Sequence, residues 1–586
     1  MNHEMKIIFR IAGKKISMII QRLFFIMICC LASSQAFSQS IAQPTPEEYT
    51  MKRQQWVDSV YQSLPLEKKI AQLYMAIAHT KSNMPHVDKL VKELGIGGIC
   101  FMQGDPAEQM TIMRALQAKA KIPLWFSMDA EWGMGMRLPN VGNLPRALTI
   151  GAANDTSLAL RVGRAIGRQF QRMGIHINFA PVLDINSNPN NPVINYRSFG
   201  ENKEKVSQMA MYVIRGMQEL GVIACAKHFP GHGNTDVDSH LSLPLIKESF
   251  ESLERTDLYP YRSLIPAGLK AVMTGHLSVP ALDATPNLPS SLSSKVVQDL
   301  LIQKMGFGGL VFTDGLNMSS VTKLYSSAEL DLRSLMAGND VLLFSKHSDQ
   351  GIDTIRRAYE KGIISEARLS RSVKKVLAAK YDVGVLKNFK KDTTDIARDL
   401  NDSLPEIRKA VAQSAITCVN DEFDLIQSIR KSDIKDITMV TLSQKQNMFE
   451  TEFVRQGLKS IVQLNLPDSN KRKLQWERIR SASKVIVNVS GLIQSPAKNF
   501  GLDSLKLSLI QQLAELPNVC VVIFGNPYVL RNFCNVKCAL ICYDEEMETQ
   551  MAAIEIFTRK MNPKGQLPVS VCPKLKEGHA FRSPSW

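Results

Sequence analysis

The chain has 586 residues, 45% hydrophobic and 22% charged, which is too long for one ordinary domain and rich enough in apolar material for a large core. A formal charge of +16 invites a nucleic-acid partner, yet no basic stripe or nucleic-acid motif accompanies it, so no nucleic acid is expected. The charge fits a mildly basic envelope protein that meets anionic cell-wall polymer or lipid surface.

At the N-terminus, Lys6, Arg10, Lys14, Lys15 and Arg22 precede the apolar run "LFFIMICCLA", and small residues follow in "SSQAFSQS". This is the layout of a secretory signal peptide. Residues 1–38 are therefore expected to be removed, with cleavage after Ala36 or Ser38, leaving an exported protein, periplasmic or secreted. The run is short for a membrane span; an uncleaved anchor is the competing reading. No later segment reaches spanning length, so no stable membrane span is expected after cleavage.

Across residues 48–390 short apolar runs alternate with helical-period stretches. The runs are "IGGICFM", "IPLWFSMD", "IHINFAPVLD", "GVIACAKH", "LKAVMTGH", "GGLVFTDG" and "NDVLLFS"; "SLALRVGRAIGRQFQRMG" and "KVSQMAMYVIRGMQELG" carry the helical period. Such alternation predicts the α/β class and a parallel sheet wrapped by helices, with a (β/α)₈ TIM-type barrel as its architecture. An open doubly wound sheet is the runner-up, but no glycine-rich dinucleotide fingerprint follows the first strand. Asp129, Asp184, Lys227 with His228, His276 and Asp314 all fall where an apolar run gives way to its loop. A barrel brings those positions to one rim, where catalytic groups gather.

The stretch "KHFPGHGNTDVDSHLSLP", Lys227 to Pro244, concentrates three histidines on one loop. His228 and His232 are four apart, but Pro230 and Gly231 break any helix between them. That removes a helical metal motif and leaves only a loop-borne site, so neither metal nor cofactor is expected. Asp238 and His240 are two apart, close enough for the carboxylate to fix the imidazole tautomer and make it a general acid/base. A solvated turn capped by Asp238 is equally compatible with these residues. Asp314 ends the run "GGLVFTDG", where it can cap the following helix or act as a nucleophile on a sugar carbon.

Residues 391–410, within "VLKNFKKDTTDIARDLNDSLPEI", are polar and are expected to form a linker. A second α/β pattern over 411–586, with "DITMVTLS", "KVIVNVSG", "VCVVIFGNPYVL", "ALICYD" and "AAIEIFTRKMNPKGQLPVSV", predicts a smaller α/β sandwich domain. Ionisable residues are sparse at its strand ends, which places the chemistry in the first domain. Cys534, Cys538 and Cys542 lie at four-residue intervals, but "VKCALICYD" reads as a buried strand, and the cysteines as buried free thiols.

"KHFPGHGNTDVDSH", "NFAPVLDINSNPNNPVINYRSFGEN" and "VFTDGLNM" together resemble glycoside hydrolase family 3 in its β-N-acetylglucosaminidase branch. The resemblance runs through nearly the whole chain past residue 50, into "GNPYVL" and "GQLPVSV" of the family's C-terminal sandwich. It implies a retaining, exo-acting hydrolase that releases terminal β-linked N-acetylglucosamine from muropeptides or related glycans. By position, Asp314 matches the nucleophile, His240 the acid/base and Asp238 its dyad partner. Asp129 matches the carboxylate that grips sugar hydroxyls, and Arg197, Lys227 and His228 the residues that hold the terminal sugar; His276 joins the substrate-binding set at the rim. Trp132 and Met134 depart from the glycine and arginine of many relatives, and Gly315 stands where an acidic or small residue often follows the nucleophile. The alternatives are a β-glucosidase or β-xylosidase of the same family, or an N-acetylglucosaminide phosphorylase, since a neutral histidine tolerates an incoming phosphate better than a carboxylate does.

Overall fold

The computed structural model describes residues 45–80, 82–386, 392–443, 446–464 and 468–586; the expected signal segment, residues 1–38, lies outside the described residues. The chain divides into two compact units, Met1–Asp58 and Ser59–Trp586. In the first, a capping box opens the helix that begins at Pro46. Thr45 Oγ1 accepts the Glu48 N–H at 3.2 Å, and the Glu48 carboxylate accepts the Thr45 N–H at 3.0 Å.

The second unit contains two sheets. Among the described residues the first has eight strands: β1 (Tyr74–Ala78), β2 (Gly98–Phe101), β3 (Trp125–Met128), β4 (Ile177–Asn178), β5 (Ile223–Phe229), β6 (Ala271–Thr274), β7 (Leu310–Thr313) and β8 (Leu342–Leu343). Each pairs in parallel with its sequence neighbour, β8 pairs with β1, and a parallel bridge from Phe312 to Val341 joins β7 to β8 and closes the ring. The open-sheet alternative is thereby set aside. These strands are short and buried on both faces, as parallel barrel strands must be. Aromatic rings fill the interior: Phe312 lies 6.1 Å from Trp125 and 5.5 Å from Phe179, centroid to centroid.

The two long helical-period stretches form the helices Thr156–Met173 and Lys203–Gln218, capped by the side chains of Asp155 and Asn202. They approach closely because glycine lines the seam. A Cβ on Gly163 would sit 2.3 Å from the Val213 carbonyl oxygen, and one on Gly216 2.6 Å from that of Leu160.

In the second sheet β9 (Thr417–Asp421), β10 (Ile437–Thr441), β11 (Ser460–Gln463), β12 (Lys484–Val489), β13 (Val519–Ile523) and β14 (Cys538–Ile541) run in the order β11-β10-β12-β13-β14-β9. All pairs are parallel except the edge pair β14–β9. Its faces bury separate cores. Val485, Val487 and Val489 point to one, and Ile486, Cys520 and Val522 to the other. The first core also takes in Leu148 and Ala152, from the helix Ala147–Ala153 on the barrel side, so the two sheets share packing. Gln566 N–H reaches Ala152 O at 3.1 Å and Glu201 N–H reaches Pro568 O at 3.0 Å across the same seam.

Two expectations change. The stretch expected as a linker carries the helices Ile396–Asn401 and Leu404–Ala415, with Ile396, Leu400, Leu404, Ile407 and Val411 buried. Those apolar residues recur every three to four positions, a helical stripe hidden among lysines and aspartates. Cys538 and Cys542 are buried free thiols as read, but Cys534 forms a disulfide with Cys572, Cα to Cα 6.4 Å. The partner lies 38 residues away, beyond the reach of local spacing, and arrives because Leu567, Val569 and Val571 enter the sheet's core. Among the described residues no helix is long and apolar enough to cross a membrane.

The β1–β8 closure contains a buried acid. Asp331 Oδ2 accepts bonds from Tyr74 Oη at 3.1 Å and Ser345 Oγ at 2.7 Å, while Oδ1 has no partner. Burial pushes this carboxyl from 3.8 up to about 7 against the pull of those two donors. Its folded pKa exceeds its unfolded one, so its contribution to stability is complete below pH 3.8 and is lost as pH rises through about 7. Asp331→Asn does not titrate, so its melting temperature should gain on the wild type between about pH 5 and pH 8. Parallel melting curves across that range would assign the effect elsewhere.

Candidate active site

The carboxyl ends of the barrel strands bring charged side chains together. Asp129 and Glu131 follow β3, Arg197 comes on the long loop after β4, and Lys227 lies within β5. Lys227 Nζ is 2.7 Å from Asp129 Oδ1 and 2.9 Å from Glu131 Oε1. Arg197 grips Glu131 with both arms of its fork, Nη2 to Oε1 at 2.6 Å and Nε to Oε2 at 2.9 Å. Arg137 Nη2 approaches Asp129 Oδ2 at 3.4 Å and its Nε donates to the Asp129 carbonyl at 3.1 Å. Burial works to raise the Glu131 carboxyl, but the Arg197 and Lys227 cations outweigh it and hold the group well below the usual carboxylate range. Burial likewise works to lower the Lys227 ammonium, and Asp129 and Glu131 keep it raised. Glu131, Arg197 and Lys227 are therefore ionised at neutral pH.

A second network organises the histidines. Asp184, after β4, accepts His228 Nδ1 at 2.8 Å and the backbone N–H of His232 at 2.8 Å. The carboxylate fixes the His228 tautomer by accepting its Nδ1–H. His232 is occupied by its own loop, Nδ1 with Thr235 Oγ1 at 2.8 Å and Nε2 with Ser239 Oγ at 3.0 Å. Burial pushes the His232 imidazole down to about 4, so it is neutral at pH 7. With these nitrogens committed, the loop's histidines do not converge as ligands; among the described residues no three His, Cys, Asp or Glu gather in a metal-holding group.

Asp314 follows β7 at the carboxyl end of that strand and is partly buried. Its Oδ1 accepts the Gly315 N–H at 2.7 Å, and the next helix starts at Ser319 with no side-chain cap, so Asp314 is no helix cap. Burial opposes its ionisation, but the nearby charges of His276 and His228, the Gly315 N–H and the charge of His240 bring its pKa to about 2. His240 is thus near enough to act on Asp314 electrostatically. His240 Nδ1 meets Asp238 Oδ1 at 2.8 Å, and the same oxygen accepts the His240 N–H at 2.8 Å. The Asp238 carboxyl stays low despite partial burial, held by those bonds. The His240 side chain is 64% exposed, unlike everything else in the site.

Of the residues expected from the sequence, Asp129, Arg197 and Lys227 join in the ion cluster through Glu131 and one another, His228 bonds to Asp184, Asp238 bonds to His240, and Asp314 follows β7. His276 is placed differently. It is fully buried, with Nδ1 on Ser291 Oγ at 2.7 Å and Nε2 at 3.2 Å from the Gly315 carbonyl, where it braces the Asp314 turn instead of facing a sugar. Sequence reading missed Glu131 and Arg137, though both lie in "DAEWGMGMR" just past a strand end, and it named Asp184 without assigning its task.

Comparison with known proteins agrees with this geometry. The model of the glycosyl hydrolase family 3 N-terminal domain matches residues 65–379, and the chain belongs to that family. It is 29% identical over 376 residues to a β-N-acetylglucosaminidase/β-glucosidase of Cellulomonas fimi, covering 63% of this chain and 66% of that protein. It is 30% identical over 331 residues to β-hexosaminidase A of Pseudoalteromonas piscicida, covering 50% of this chain and 55% of that protein. The chain thus spans just under two thirds of the first relative's length and little over half of the second's. The solved structure of a glycoside hydrolase family 3 β-N-acetylglucosaminidase from Paenibacillus sp. str. FPU-7 superposes with a TM-score of 0.71 at 30% identity, covering 87% of this chain and 99% of that one.

Replacing Glu131 by Gln would leave Arg197 and Lys227 buried with one counter-charge too few. Loss of one partner from such a pair costs about 3–5 kcal/mol. The Glu131→Gln variant should therefore lose at least about 100-fold in kcat/KM and melt at a lower temperature. Unchanged kinetics would show that the ion cluster does not hold substrate.

Proposed function

We propose that this glycosyl hydrolase family 3 chain is an exported, retaining, exo-acting β-N-acetylglucosaminidase that removes terminal β-linked N-acetylglucosamine from muropeptides or related glycans. The observation that carries this reading is the pairing of an ionised carboxylate at the carboxyl end of β7, Asp314, with the Asp238–His240 dyad on the loop after β5. The names of the similar proteins point to the same sugar. The basic, small-residue-flanked apolar layout of residues 1–38 supports export.

In the first half-reaction the Asp314 carboxylate attacks the anomeric carbon while His240 protonates the departing glycosidic oxygen. The anomeric C–O bond to the aglycone breaks, and an ester to Asp314 forms. In the second, neutral His240 takes a proton from water, which attacks the anomeric carbon and releases Asp314. Asp238 holds His240 Nδ1–H throughout and offsets the imidazolium charge. Asp129, Arg197, Lys227 and His228 bind the hydroxyls of the terminal sugar, where charge-assisted bonds are stronger than neutral ones.

A fluoro-sugar inactivator should label a peptide spanning residues 309–318, and mass spectrometry that found the label elsewhere would sink the nucleophile assignment. Asp314→Ala should be inactive on every substrate. His240→Ala should lose roughly 10²–10⁴-fold on substrates with poor leaving groups and far less on activated aryl glycosides. A panel of aryl glycosides with and without the 2-acetamido group tests the sugar: comparable turnover of both would favour the glucosidase alternative.

The pH profile follows from the carboxylates. Asp314 ionises at about 2 and Asp238 is also depressed, so neither is protonated in the ordinary working range. Lowering pH from neutral keeps both carboxylates charged, so a pH–kcat/KM profile should show no carboxylate-derived acidic limb down to about pH 4, and a limb above that pH would contradict the assignment.

A further inference from the structure

We propose that Arg531, in the second sheet domain, positions the proton-transfer loop by holding the β4 loop at Asn190. The inference rests on His240 being the acid/base, as proposed above.

The loop that carries Asp238 and His240 leans on the β4 loop. Asn188 Nδ2 donates to the Thr235 carbonyl at 3.2 Å and to Asp236 Oδ1 at 2.7 Å. Asn191 Nδ2 donates to the carbonyls of His232 and Gly233, both at 2.9 Å. The backbones themselves touch here, since a Cβ on Gly233 would lie 1.7 Å from the Ile185 carbonyl oxygen. Between Asp236 and Pro244 the loop's ties are few: the Asp238–His240 bonds are internal to it, Ser239 bonds to His232, and Lys323 Nζ meets the Leu241 carbonyl at 3.1 Å. His240 lies between two anchors, the segment 232–236 against the β4 loop and the Ser278 N–H, which donates to the Pro244 carbonyl at 2.8 Å.

The β4 loop is held in turn from the second sheet. Arg531 Nη1 donates to Asn190 Oδ1 at 2.8 Å, and the Asn190 N–H donates to Asn188 Oδ1 at 2.9 Å. A continuous relay therefore runs Arg531, Asn190, Asn188, Asp236. Arg531 is itself fixed, its guanidinium 5.5 Å from the centroid of the Phe500 ring in a cation–π contact. Asn526, which caps the turn Pro527–Asn532 bearing Arg531, makes a second contact by donating to Asn195 Oδ1 at 2.5 Å, two residues before Arg197. One structural element thus holds the β4 loop at two points, Asn190 next to the support of the His240 loop and Asn195 two residues before Arg197. Arg531 touches no reacting atom and acts as a positioning residue.

The test compares wild type, Arg531→Ala, Asn190→Ala and His240→Ala on two N-acetylglucosaminides, one with an alkyl leaving group and one with 2,4-dinitrophenol. Displacing the acid matters only where the leaving oxygen needs its proton. Arg531→Ala and Asn190→Ala should lose roughly five- to tenfold in kcat on the alkyl glycoside, the scale of one hydrogen bond, and less than about twofold on the dinitrophenyl glycoside. Asn190→Asp, which keeps an acceptor for Arg531, should restore the alkyl rate. Equal losses on both substrates, or none, would overturn the inference while leaving the acid assignment intact if His240→Ala still shows its own split. No split in His240→Ala would instead remove the acid assignment, and the positioning role with it.

Discussion

The site depends on a buried compensation of charge. Two carboxylates, Asp129 and Glu131, and two cations, Arg197 and Lys227, are drawn from three different strand ends and placed within direct contact. Any one of them alone would face a desolvation cost of several kcal/mol. Together they neutralise one another, and the bidentate Arg197–Glu131 pair fixes orientation as well as distance. The consequence is geometric. The loops after β3 and β4 and the end of β5 cannot move independently without exposing an unpaired charge, so the wall meeting the sugar hydroxyls is set before any sugar arrives.

Against that wall the two groups proposed to react differ in exposure, and the difference suits the proposed tasks. A nucleophile must lie in line with the anomeric carbon, and Asp314 is held by Gly315, with His276 bracing the turn from behind. The same neighbours keep it anionic in spite of burial. An acid that must first protonate an oxygen and later activate water at nearly the same point gains from freedom, and His240 sits on an exposed loop tied mainly through its own aspartate.

Much of this was legible in the sequence, and the exceptions have physical causes. Seven of the barrel runs could be seen because parallel strands are buried on both faces and read as continuous apolar segments. β1, in "YMAIA", and the edge strands β9 and β11 are short or half-polar and were passed over. The rim residues Asp129, Lys227, His228 and Asp314 stood out because each polar side chain abruptly ended an apolar run. Glu131 and Arg137 did not, since two and eight residues past Asp129 they look like ordinary loop charges until the fold folds them back. His276 passed the same strand-end filter but turned inward, because Ser291 and the Gly315 carbonyl offered it two partners in the interior. Position at a rim says where a side chain starts and not which way it points.

The second sheet shows a further limit of reading function from ionisable residues. Its strand ends are poor in acids and bases, which led the sequence reading to place the chemistry elsewhere and left it with no visible role. Its bearing on the β4 side of the barrel comes from an amide, a serine and one arginine: Asn526 on Asn195, Arg531 on Asn190, and Ser570, whose N–H and hydroxyl donate to the Glu201 carboxylate. None of these carries a signature in composition or spacing, because each works by meeting a partner more than 300 residues away. They are consequential because of where they land. The β4 loop carries Arg197, proposed to hold the sugar, and supports the base of the loop that bears His240, so a domain that grips it bears on both proposed roles without contributing a reacting atom to either.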